Sequence, residues 1–174
     1  MSNEAVVINI VPAINDEGTK MLLSEIVEDI VFIPLETTEK CLIGRIRSIH
    51  CSNDYIIIID ADPNQILLFD KAGKFIRTIG SKGQGPGEYI YPFWAALIND
   101  ELFIWDLMLN KTFCYDLRTG KCLRIKAHEA TPCSMDCFND SVLVYYYSFP
   151  RGEDPKKFTH IRTLSLNFEV ANEF

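Results

Sequence analysis

Two stretches of this chain can be laid over one another, and that repeat limits the fold more than any other feature. YIIIIDADPNQILLFD, residues 55–70, matches ELFIWDLMLNKTFCYD, residues 101–116, at an offset of 46: each has an apolar run, an Asp, a short polar break, a second apolar run and a closing Asp. Each is followed by a Gly-Lys turn and one more strand pattern, KFIRTIG or KCLRIKA. A looser third copy starts at Asn139-Asp140, 40 residues after Asn99-Asp100. Runs that are apolar at every position suit strands covered on both faces. A period of 40 to 46 residues with four short strands per copy predicts β-propeller blades. The expected fold class is all-β, a partial propeller of about three four-stranded antiparallel blades.

The pattern places those blades at about 44–79, 93–126 and 132–171, within a propeller segment 30–174 that follows an N-terminal extension, 1–29. Residues 30–35, DIVFIPLE with its flanks, read as a further strand that completes a terminal blade. Met21 to Val27 has room for one helical turn, too short to be a helix in its own right. Asp70-Lys71-Ala72-Gly73 reads as a hairpin turn with Gly73 in the left-handed position. Between the first two copies runs SKGQGPGEY, where Gly80, Gly83, Gly85 and Gly87 open backbone angles closed to other residues and Pro86 fixes one φ; these five shape the loop.

The segments IPLETTEKCLIGRIRSI, DYIIIIDADPNQILLFDKAGKFIRTIG and SKGQGPGEY together resemble the amino-terminal part of six-bladed β-propeller proteins abundant in gut Bacteroidetes, with NHL-like repeats. Residues 69–91, a blade-closing hairpin joined to a glycine-rich inter-blade loop, carry most of the resemblance. The resemblance implies a ring of six-bladed type, about twice this length and usually exported or lipid-anchored. It implies a binding or scaffold role and supplies no catalytic residues. Three blades out of six leave apolar end faces open, and a homodimer that closes the ring is one expected answer.

Composition narrows the partners. With 24 acidic and 17 basic residues the net charge is −7, which opposes nonspecific binding to nucleic acid, and no nucleic-acid partner is expected. No stretch approaches a membrane span. Met1 to Pro12 lacks the basic and apolar regions of a signal peptide, so a complete chain would be cytoplasmic, and one whose leader has been removed would be periplasmic or at the cell surface. Cys41, Cys51, Cys114, Cys122, Cys133 and Cys137 have no zinc spacing and read mainly as core thiols, with a disulfide as the alternative. No cofactor fingerprint is present, and no metal site is assigned.

If each blade runs from its inner strand outward, the elaborated loops 60–64, 81–91, 106–110 and 148–157 share one face, and the tight turns share the other. The expected function is non-catalytic recognition of a protein, peptide or glycan through the elaborated face. The ligand-binding candidates are Tyr91, Trp94 and Tyr147, aromatic enough to stack on a ligand, and Asp60, Asp62 and Asp106, whose carboxylates could also serve as turn caps. A hydrolase or lyase on the same loops is the alternative. His50, His128 and His160 are scattered and form no known nucleophile arrangement, so no catalytic residue is named.

Overall fold

A computed structural model describes residues 22–25, 27–129, 131–138, 142–146 and 161–173. The chain divides into two units, residues 1–32 and 33–174. Within the first, Leu23–Glu25 makes a single 3-10 turn.

The second unit contains three four-stranded antiparallel sheets, each a meander in chain order. The first is β1 (Ile46–Cys51), β2 (Tyr55–Asp60), β3 (Gln65–Asp70) and β4 (Phe75–Thr78). A short parallel pair, β5 (Ser81–Lys82) and β6 (Glu88–Tyr89), lies in the glycine-rich loop. The second sheet is β7 (Pro92–Ile98), β8 (Glu101–Asp106), β9 (Lys111–Asp116) and β10 (Cys122–Ala127). The third is β11 (Ser134–Phe138), β12 (Val142–Tyr146), β13 (Ile161–Ser165) and β14 (Val170–Glu173). The leading strand β7 adjoins both β1 and β11, so the first strands of the three sheets stand side by side.

The continuous apolar runs exist because alternate residues serve different interfaces. From β2 and β3, Ile57, Ile59, Ile66 and Leu68 pack against Leu102, Ile104, Phe113 and Tyr115 of the second sheet. The residues between them, Ile58, Leu67 and Phe69, face the other way onto Cys41, Leu35 and Ile43. The second sheet repeats the division: Phe103, Trp105 and Cys114 pack on Met135, Leu143, Tyr145 and Leu164 of the third. Each fully buried Ile or Leu contributes roughly 1.5–3 kcal/mol, so these interfaces hold the sheets face to face.

Two expectations are corrected. Residues 30–35 form no strand. Pro34 has no N–H to give a ladder, and Glu36 is engaged elsewhere: its N–H donates to Gly73 O at 2.7 Å, and its carboxylate accepts from Phe75 N–H at 2.9 Å. The outer face of the first sheet is also not open, because residues 35–43 cover it and leave Ile58, Leu67 and Phe69 at 0% exposure.

Candidate functional site

Asp60 and Asp106 end the second strands of their sheets and are both fully buried. Asp60 accepts from the N–H groups of Gly44, Arg45 and Asp62 and from Gln65 Nε2, at 2.8–3.1 Å. Asp106 accepts from the N–H groups of Ile90, Tyr91, Met108 and Leu109 at 2.7–2.9 Å. Burial pushes the Asp60 carboxyl up, but the donors around it outweigh that and hold it below the usual carboxylate range. Each carboxylate thus ties the chain entering its sheet to the turn leaving the second strand. The Asp62 side chain is exposed on that turn.

The glycine-rich loop closes on a side chain of its own. Gly85 N–H donates to Glu88 Oε2 at 2.8 Å, and Ser81 Oγ donates to Glu88 Oε1 at 3.4 Å. A β-carbon on Gly83 would stand 2.0 Å from Glu88 Oε2, so glycine is required there for the carboxylate to sit inside the loop. Tyr89, 1% exposed, accepts from Ile66 N–H and donates to Ile79 O, both at 3.2 Å, pinning the loop to the end of the first sheet. The Tyr115 hydroxyl donates to Gly87 O at 3.1 Å from the second sheet. The loop is therefore fixed from both sides.

This rigid rim presents an aromatic cluster that carries a cation. The pairing of β1 with β2 skips a residue between Ile46 and Ser48, and that of β7 with β8 skips one between Pro92 and Trp94. The bulged residues are Arg47 and Phe93, which stand 46 positions apart and so are repeat-equivalent. A β-bulge re-aims its side chain, and here both bulges aim at one spot. The Arg47 guanidinium lies 4.4 Å from the Tyr91 ring centroid and 4.7 Å from that of Phe93. The two rings are 5.9 Å apart and nearly parallel, and Phe93 meets Trp94 edge-on at 5.3 Å. Trp94 is 37% exposed; Leu107 and Met108, on the turn anchored by Asp106, are 37% and 67% exposed. Leu107 N–H donates to Tyr91 O at 3.0 Å, which brings that turn against the cluster.

The structure thus brings Tyr91 and Trp94 together with the turn that Asp106 holds, and places Asp60 and Asp62 at the equivalent turn of the first sheet. Tyr147 and residues 148–157 lie outside the described residues. Sequence reasoning missed Arg47 and Phe93. The same 46-residue offset that paired Asp60 with Asp106 also pairs them and was the available signal, whereas the bulges themselves are seen only in the strand pairing.

The histidines serve other ends. His128 Nε2 bonds Thr112 Oγ1 at 2.7 Å, and Thr112 accepts from the Tyr145 hydroxyl at 3.0 Å, a polar chain between the second and third sheets. Burial, then Lys126 and Arg162, push the His128 imidazole down to about 4. His50 bonds Ser48 Oγ at 3.1 Å and is lowered by burial, with the Asp136 carboxylate opposing. On the tight-turn side an open cleft of about 600 Å³ includes Asn99, Asp116, Leu166 and Asn167. Four of its charges are paired internally, Arg118 with Asp100 and Arg124 with Glu101, and Asp116 accepts from Thr119. Beneath it, burial first and then Glu101 push the Cys114 thiol up to about 12, so it stays protonated and unreactive. Among the described residues, no group of three or more His, Cys, Asp or Glu is placed to hold a metal ion.

Stacked four-stranded meanders with their leading strands side by side and loops gathered at the strand ends define a β-propeller, and this chain is part of one. It belongs to the family described as Domain of unknown function (DUF4934), which it matches over residues 5–169. No curated protein matches it. Among solved structures it is similar to a protein of Bacteroides fragilis thought to be exported, with TM-score 0.70 and 22% identity over 84% of this chain and 42% of that one. It is also similar to a member of the duf4221 family from Bacteroides vulgatus, with TM-score 0.54 and 14% identity over 80% and 44%. A third is the Cps50 (Swd1) β-propeller domain of Myceliophteria thermophila, with TM-score 0.52 and 12% identity over 79% and 41%. The chain spans less than half the length of each of these structures. No helix among the described residues is long and apolar enough to cross a membrane.

Proposed function

We propose that this chain is a non-catalytic binding module that takes a polypeptide, as an extended segment or a protein loop, on the rim formed by Tyr91, Phe93, Trp94, Leu107 and Met108. The observation that carries the reading is the exposure of Trp94 in the aromatic cluster and of Leu107 and Met108 on the turn that bonds Tyr91 and that buried Asp106 anchors. Aromatic rings alone would suit a glycan equally well. An exposed Leu and an exposed, adaptable Met favour apolar side chains, and so favour a polypeptide. Asp60 and Asp106 act in this reading as the anchors of the binding turns.

The six-bladed ring with NHL-like repeats belongs to the same proposal, as does a location outside the inner membrane, which the likeness to a Bacteroides protein thought to be exported supports. Pairing of two copies to close the ring requires residues 35–43 to leave the first sheet. Sedimentation at micromolar concentration gives about twice 19.9 kDa if they pair, and 19.9 kDa if that segment stays.

The binding reading is tested by selecting from a displayed library of random peptides. Trp94 and Trp105 are the chain's two tryptophans, and Trp105 is only 1% exposed, so acrylamide quenching of fluorescence reports mainly on Trp94. Selected peptides are expected to protect Trp94 from quencher and to bind Trp94→Ala at least about ten-fold more weakly, a loss of about 1.4 kcal/mol. Recovery of no binder, or binders indifferent to Trp94→Ala and Met108→Ser, rejects it. Displacement of the peptides by neutral oligosaccharides moves the assignment to a glycan.

A further inference from the structure

Arg47 supplies a detail of that partner's chemistry, and the inference rests on the rim being a binding surface. The chain carries 24 acidic residues against 17 basic ones, and two guanidinium groups among the described residues find an internal carboxylate. Arg118 has Asp100 and Arg124 has Glu101. Arg47, like Arg45 and Arg77, has neither an ion pair nor a hydrogen bond at its guanidinium among the described residues, and it is set apart by lying over the faces of two rings, Tyr91 and Phe93. Its Nε is buried without a partner, whereas its two terminal nitrogens are not shut off from solvent. The β-bulge sets where the side chain leaves the strand and the two rings hold its head, which reduces the ordering that binding would otherwise demand.

We propose that Arg47 receives a carboxylate of the bound polypeptide, from an Asp or Glu side chain or a chain terminus, through its two terminal nitrogens. The planar fork of a guanidinium matches the two oxygens of a carboxylate. Contact with ring faces uses none of the guanidinium's hydrogen-bond donors. A single guanidinium in a chain of net charge −7 suits one negative charge better than the two of a phosphate. The partner is accordingly an acidic segment whose apolar residues lie toward Trp94, Leu107 and Met108.

The test follows the Arg47 side-chain Nε–H resonance of the intact chain, assigned by its loss in Arg47→Lys. The probes are N-acetyl-glutamate methylamide, its glutamine counterpart, glucuronate and inorganic phosphate. The glutamate compound is expected to shift the resonance saturably, with the glutamine compound at least ten-fold weaker. Arg47→Lys, followed through the backbone amides of Tyr91 and Phe93, is expected to weaken glutamate by ten-fold or more, and Arg45→Lys to leave it unchanged. Equal binding of glutamate and glutamine, tighter binding of phosphate, or wild-type affinity in Arg47→Lys overturns the proposal. If the Nε–H does not respond while selected peptides still protect Trp94, this inference fails and the binding reading stands. If glutamate and glucuronate both bind but no peptide is ever selected, the carboxylate site stands and the polypeptide reading fails.

Discussion

Asp106 illustrates how much one buried carboxylate can organise, since four N–H groups from two separate segments converge on its two oxygens. Asp106→Ala leaves those donors without an acceptor in a dry site, and the expected loss is roughly 2–4 kcal/mol, read as a lower urea midpoint. Exposed Asp62→Ala should change stability by less than about 0.5 kcal/mol. His128 gives a prediction in pH. Its folded value of about 4 lies below the ordinary 6.5, so as pH falls the unfolded chain takes up the proton first. The stabilisation from the neutral, Thr112-bonded ring is therefore complete above about 6.5 and is lost progressively toward about 4. Thermal melts should show the advantage of wild type over His128→Gln shrinking across that window, while the other titrations cancel in the difference.

At the scale of elements, the inter-blade loop is built around Glu88 and not around an external anion. Gly83→Ala forces a methyl group into the space of the Glu88 carboxylate and should destabilise by about 1–3 kcal/mol. Glu88→Ala makes that room, so the double variant should lose clearly less than the sum of the two single losses when all three are unfolded in urea. Strict additivity would mean that the loop does not close on Glu88. The same loop shows what a repeat reveals and what it hides. Its glycines announced a shaped joint, but the short parallel pairing of Ser81–Lys82 with Glu88–Tyr89 had no periodic signature, because two residues per strand are too few to show one.

For the molecule as a whole, the covering of the first sheet by residues 35–43 decides how its apolar surface meets water. Leu35 and Ile43 pack beside buried Cys41 on Ile58, Leu67 and Phe69. Replacing both Leu35 and Ile43 by Asp should lift this segment, expose the sheet face, and raise the light-scattering mass above 19.9 kDa through association. An unchanged mass with an unchanged melting temperature would show that the segment contributes little to covering the sheet.

The all-β class, the four-stranded meander and the equivalence of Asp60 with Asp106 were legible in the sequence, because each depends on local period or on a residue type demanded at a fixed point of a repeat. Gly73 is a simple instance: the turn needs positive φ, and φ there is 84°. Tertiary structure decided what depends on neighbours distant in the chain. Residues 30–35 look like a strand, yet a strand is made by a ladder partner, and Glu36, which follows, instead donates its N–H to Gly73 O and accepts from Phe75 N–H at its carboxylate. Arg47 stands beside Ile46 in an alternating stretch, GRIRSIH, that does not single it out. The skipped residue in its pairing with β2 turned it toward Tyr91 and Phe93, because register is a property of two strands and cannot be written in one.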